Sequence, residues 1–224
     1  MTTARATAIL LAKELRLEFR TRELLSATVV FALIVVVLFS FAFNPTAEES
    51  RQYGPGLLWI AFLFAGSLML HPSFGREHAN DTLDALRMAP VSSFAIVLGK
   101  ILANFIFLAV VEAILVPVFG VLYNISLAGI VGRLTIVLAL GTMGLVITGT
   151  VFSAISAHAR MRELLLPLLL LPILAPLLIA AVEATVGLFA DQPQLDRTWL
   201  AFLAGFDIVF FTASWILSDF LIEE

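Results

Sequence analysis

The sequence predicts an all-α, polytopic membrane protein with six transmembrane helices and an amphipathic helix ahead of the first. Three observations carry this. Of 224 residues, 61% are hydrophobic and 13% charged, with a mean hydropathy of +1.04. A soluble domain carries about 25% charged residues, so this chain cannot cover itself for water. Six apolar runs approach or exceed the roughly 20 residues that cross a bilayer. No ten-residue alternating pattern marks a barrel, so a lipid-exposed backbone must close its own hydrogen bonds as helix.

The spans fall at 24–43, 57–74, 96–122, 134–155, 164–189 and 199–220. They leave no room for a soluble domain, so 1–224 is expected to be one membrane domain. Before the first span, Ala8, Leu11, Ala12, Leu15 and Phe19 recur at helical spacing, with Lys13, Arg16 and Arg20 on another face. That pattern predicts an interfacial helix over 6–22. The first span follows a charged stretch and is longer than a signal-peptide core, so it is expected to be a permanent anchor.

Basic residues set the orientation. With the N-terminus inside, the inner segments hold Arg5, Lys13, Arg16, Arg20, Arg22, Arg76, Arg87, Lys100, Arg160 and Arg162, and the outer loops hold Arg51, Arg133 and Arg197. This ten-to-three asymmetry predicts cytoplasmic termini. Trp59 and Trp199 are then expected near the outer interface.

Several chemistries are excluded or weakened. Cys is absent, which removes disulfides, thiolate metal sites and Cys nucleophiles. No basic stripe interleaved with aromatics offers a nucleic-acid surface. The single Gly-Lys pair, Gly99-Lys100, lacks the rest of a phosphate loop, so any ATP hydrolysis belongs to another chain. His71, His78 and His158 show no i, i+4 pairing for a metal, and no catalytic residues or resident cofactor are expected.

The long polar segment 76–87 lies between two spans. Leu83 and Leu86 form an apolar edge, with Met88 nearby, surrounded by Arg76, Glu77, Asp81, Asp84 and Arg87. Asp81-Thr82 suits a helix cap and Pro90 a stop. A plain connector needs no apolar edge, so the segment is expected to dock a partner protein. Within the spans, Asp207 falls close to the midplane at about 1.5 Å per residue. Glu112 and Glu183 fall nearer the outer ends of theirs, so the three acids are expected to stand apart. Asp207 serves either helix packing or a cationic or hydroxylic partner. Gly141, Gly144 and Gly149 in the fourth span, and Pro167, Pro172 and Pro176 in the fifth, suggest a bent, closely packed pair.

Together the six spans, the amphipathic N-terminal segment and the inner loop resemble a type-2 ABC exporter permease. Thr148-Gly149-Thr150-Val151-Phe152-Ser153-Ala154-Ile155, Arg160-Met161-Arg162-Glu163 and Leu164-Leu165-Leu166-Pro167 resemble the haem exporter protein B family, CcmB, of cytochrome c maturation. Ile179-Ala180-Ala181-Val182-Glu183-Ala184-Thr185 and the acidic C-terminal end from Asp219 to Glu224 are similar as well.

The resemblance implies a membrane subunit that works with an ATPase (CcmA), with CcmC and the small CcmD, in haem delivery to the periplasmic carrier CcmE. ATP hydrolysis would be linked to release of the loaded carrier, with haem as a transported or contacted ligand, in a bacterial inner membrane. The permease class often has Gly where this chain has Asp81. A permease for another amphiphile (lipid, drug or polysaccharide) and a non-transport membrane scaffold stand as alternatives.

Overall fold

The computed structural model describes residues 2–43, 47–70, 74, 91–156 and 162–223. Every regular element among them is an α-helix. The chain runs α1 (Thr3–Thr21), α2 (Glu23–Phe43), α3 (Ala47–Leu70), α4 (Ser93–Leu122), α5 (Val131–Ser156), α6 (Arg162–Phe189) and α7 (Arg197–Glu223). Helices α2 to α7 each contain a stretch long and apolar enough to cross a membrane, so the protein is a polytopic helical membrane protein. The segment 76–87, with Arg76, Glu77, Asp81, Thr82, Leu83, Asp84, Leu86 and Arg87, lies outside the described residues, as do His71, His78, His158, Arg160 and Met161.

Helix α1 begins and ends slightly earlier than its apolar periodicity suggests. It closes at Arg22, whose φ of 54° is left-handed and whose N–H donates to the Glu18 carbonyl. A non-glycine residue there is held by what the turn achieves. The Glu18 carboxylate, 3% exposed, accepts from the Leu25 N–H at 2.8 Å, supplying an acceptor to the open first turn of α2. Helix α3 starts ten residues before the apolar run, at Ala47. Glu48 and Glu49 occupy its first turn, where carboxylates favour the positive end of the helix dipole, and hydropathy does not register those polar turns.

Helix α5 is the hub. It touches α3, α4, α6 and α7 and is the most buried span, whereas α2 and α7 are the least buried. The N-terminal helix α1 packs mainly on α4. Gly99 of α4 makes that approach close: a Cβ there would stand 3.0 Å from Leu10 Cβ and 3.6 Å from the Thr7 carbonyl oxygen. We call the end of the bundle bearing α1 the near face.

At the far face, Arg51 pairs with Asp191 and the Arg133 guanidinium donates to the Pro193 carbonyl at 2.9 Å. The Asp196 carboxylate there accepts from the Thr198 N–H at 2.8 Å. That backbone donor holds its carboxyl below the usual aspartate range.

Trp59 is 1% exposed and lies in the core, where its indole N–H donates to Thr185 Oγ1 at 3.0 Å. A buried indole N–H needs such an acceptor. The expected close pairing of α5 with α6 holds, since these two helices share the most extensive contact in the bundle, and the glycines of α5 serve other neighbours too. Gly141 and Gly149 receive Trp59 and Leu70 of α3, and Gly144 receives Asp207 of α7 as well as Leu177 of α6. Helix α6 itself continues unbroken through Pro172 and Pro176.

Candidate functional site

The polar groups inside the bundle converge on α5, because this helix presents small and hydroxylic residues on several sides. Toward α4, the Thr142 hydroxyl donates to the Glu112 carboxyl, and two turns nearer the near face the Asn104 amide donates to Thr150 Oγ1 at 3.2 Å. Both Glu112 and Asn104 are buried. Toward α7, Asp207 Oδ1 rests against Gly144, 2.7 Å from where a Cβ would stand. This oxygen and the hydroxyls of Thr148 and Ser153 are buried without a hydrogen-bond partner among the described residues.

These contacts change the expected depths. Thr142 and Gly144 are two residues apart, about 3 Å along the helix and roughly 200° around it. Glu112 and Asp207 therefore approach the middle of α5 at nearly one level from opposite sides. Counted from residue 122, Glu112 lies about 15 Å inside its span, no shallower than Asp207 at about 12 Å from residue 199, so the expected separation does not hold. With 30 residues, α4 is about 45 Å long and exceeds a hydrocarbon core of about 30 Å, so its end does not mark the membrane boundary. Glu183, by contrast, is exposed on the side of α6 and joins neither pair.

A second cluster lies toward the near face. Lys100, 4% exposed, pairs with Glu14 of α1 at 3.5 Å, and its ammonium stands 4.8 Å from the centre of the Phe74 ring. A buried ammonium needs such compensation from a carboxylate and an aromatic face. The cluster ties α1 and α4 to Phe74, two residues before the segment 76–87. Sequence reasoning placed Lys100 only at the foot of a span. It assigned no role to Glu14, Asn104, Thr142 or Thr150. The available signal was the density of Gly and Thr in α5, at 141, 142, 144, 148, 149 and 150. A membrane helix gains little from exposing such residues to lipid, so they belong at helix contacts.

Among the described residues, no group of three or more His, Asp or Glu side chains could hold a metal ion. Cavities among the described residues include a pocket of about 460 Å³ at the far face, lined by Glu49, Tyr53, Leu57 and Tyr123, and a groove of about 530 Å³ between α4 and α5. The arrangement is one of buried carboxyls, hydroxyls and amides between membrane helices, with the surface otherwise given to lipid. It defines a multi-pass helical membrane protein with polar contacts at its centre.

Comparison with known proteins narrows the class. The family described as "CcmB protein" matches residues 5–220. The chain is 34% identical over 200 residues to heme exporter protein B of Rhodobacter capsulatus, covering 88% of each chain. It is 32% identical over 199 residues to heme exporter protein B of Pseudomonas aeruginosa, covering 88% of this chain and 89% of the relative. The Paracoccus denitrificans protein of the same name is 33% identical over 193 residues. The chain belongs to the CcmB family.

Proposed function

We propose that this chain is the membrane subunit of an ATP-driven ABC complex that exports or delivers haem for c-type cytochrome biogenesis. The observation that carries the reading is the match along nearly the whole chain to relatives named heme exporter protein B. The rest of the reading is what the family resemblance implies. With no phosphate loop of its own, the chain depends on a CcmA-like ATPase, and it acts beside CcmC-like and CcmD-like subunits as one membrane domain over 1–224. Hydrolysis in the partner is coupled to release of a haem-loaded, CcmE-like periplasmic carrier.

The near face is cytoplasmic in this reading, as is each terminus, in a bacterial inner membrane. The ten-to-three distribution of basic residues supports that orientation. The ATPase docks on 76–87, with Leu83 and Leu86 entering a groove on the partner and Arg76, Glu77, Asp81, Thr82, Asp84 and Arg87 setting its orientation. The Lys100–Glu14 pair beside Phe74 supports a mechanical route from that segment into α1 and α4.

The test is co-expression with the ATPase and CcmC-like subunits, followed by purification. Haem absorbance and vanadate-sensitive ATP hydrolysis should travel with the complex. Leu83→Asp would place an unpaired carboxylate in the docking groove; ATPase co-purification should fall while the chain stays in the membrane. Undiminished co-purification and normal cytochrome c assembly in that variant would reject the docking assignment.

A further inference from the structure

The groove between α4 and α5 runs along α4 from Phe105 past Glu112 to Pro117, and Leu127 contributes to its lining. Its walls are mainly apolar, with Phe105, Val116, Leu134 and Leu138 among them. Exposed Ala113 on one wall and exposed Val131 and Thr135 on the other leave it open sideways, toward lipid.

Two acceptors lie along the α4 wall. One is the Glu112 carboxyl, which receives a single hydroxyl, that of Thr142, on an atom set that can take several donors. The other is the Ala113 carbonyl. Its partner in an uninterrupted helix would be the N–H four residues later, but residue 117 is proline and has none. The Thr135 hydroxyl on the facing wall is committed to the Val131 carbonyl at 2.9 Å. The groove therefore combines an apolar body with an acceptor-rich floor.

We propose that this groove binds an apolar amine entering from the bilayer, its nitrogen seated between the Glu112 carboxyl and the Ala113 carbonyl. A carboxyl and an amine share one proton between them, so the pair lies in hydrocarbon without net charge. A ligand presenting an ionised carboxylate finds no cationic side chain in the lining and would leave an uncompensated charge in hydrocarbon. The groove volume of about 530 Å³ lies within the range of small-molecule sites and suits an alkyl chain of moderate length. The inference stands on the groove alone, independently of the proposed haem delivery.

The test uses the purified full chain in detergent micelles and a photoreactive alkyl probe, an aliphatic diazirine ending in a primary amine. Its matched carboxylic acid is the comparison. Peptide mapping should place the amine probe on 105–117 and 131–139, with labelling about tenfold above the acid and displaced by unlabelled dodecylamine. Glu112→Gln keeps an oxygen for the Thr142 hydroxyl but removes the shared proton, and should cut labelling about tenfold. Ala113→Leu adds bulk at an exposed wall position, leaves every carboxyl in place and should cut labelling by obstruction. A thermal melt of each variant establishes that it is folded. Equal labelling by amine and acid, or undiminished labelling in a folded Ala113→Leu variant, would overturn the proposal.

Discussion

Helix α5 meets α3 through carbon, and it meets α4 and α7 through oxygen. On the α3 side, Gly141 and Gly149 receive Trp59 and Leu70, and Leu145 enters the space left by Gly66. On the other sides, Thr142 bonds Glu112, Thr150 bonds Asn104, and Gly144 admits the carboxyl of Asp207. Lipid tails are as apolar as leucine, so helices in a bilayer gain no hydrophobic drive from touching each other. The two seams are different answers to that problem. The carbon seam works through close approach and dispersion and tolerates little change in volume. The oxygen seam works through directional contacts whose individual worth is modest, because polar groups in a membrane find other partners when separated. Volume should therefore matter more than polarity in this core.

The largest expected effect is Gly141→Ala. Its Cβ would enter the Trp59 ring, which is buried and held by Thr185; overpacking of this kind costs about 1–3 kcal/mol. A fall in the melting temperature of the purified chain should report it, with partial recovery on adding Trp59→Phe. An unchanged melt would break the comparison at its strongest point. Gly144→Ala comes next, because its Cβ meets the free ends of Asp207 and Leu177 at 2.7 and 2.8 Å, and both can swing. A loss of about 1 kcal/mol is expected, and it should shrink when Asp207→Ala is added, since neighbours in contact do not behave additively.

On the oxygen seam, Asn104→Leu removes the bond to Thr150 and should cost about 0.6 kcal/mol, up to about 1.7, read from the same melts. Asp207→Asn keeps the shape against Gly144 and should leave abundance unchanged, whereas Asp207→Leu overfills that cleft and should lower it. If Asn alone cuts cytochrome c yield at normal abundance, the charge has a functional role beyond packing. The smallest effect is expected at the exposed cap of α7. The Asp196 carboxyl is lowered from 3.8 by the Thr198 N–H. Its contribution is therefore present above the ordinary aspartate range and lost as pH falls through its folded value. Asp196→Asn should remove a slight acid sensitivity of the far end of α7, seen as a change in amide exchange below pH 4.

The helical spans were legible because the bilayer imposes length and apolarity on the sequence, and both can be counted. The start of α3 at Ala47 was not, since its first turns are polar and helical for a reason hydropathy does not see. Asp207 was legible as a deep acid, because depth follows from position along its own helix. Its meeting with Gly144, and that of Glu112 with Thr142, required knowing how the helices are staggered. No count along a single helix contains that information. Trp59 shows the same limit: the hydroxyl that its indole N–H finds lies 126 positions away.

The elbow between α1 and α2 has a consequence for the order in which the protein assembles. The Glu18 carboxylate and the Leu25 N–H are seven positions apart, so the bend can form as soon as that short stretch leaves the ribosome. The surface that α1 finally covers, at Gly99 and Lys100, is synthesised some eighty residues later. During that interval the first helix waits at an angle already fixed by its own last turn. The fourth helix then arrives beneath a neighbour that is already oriented to receive it.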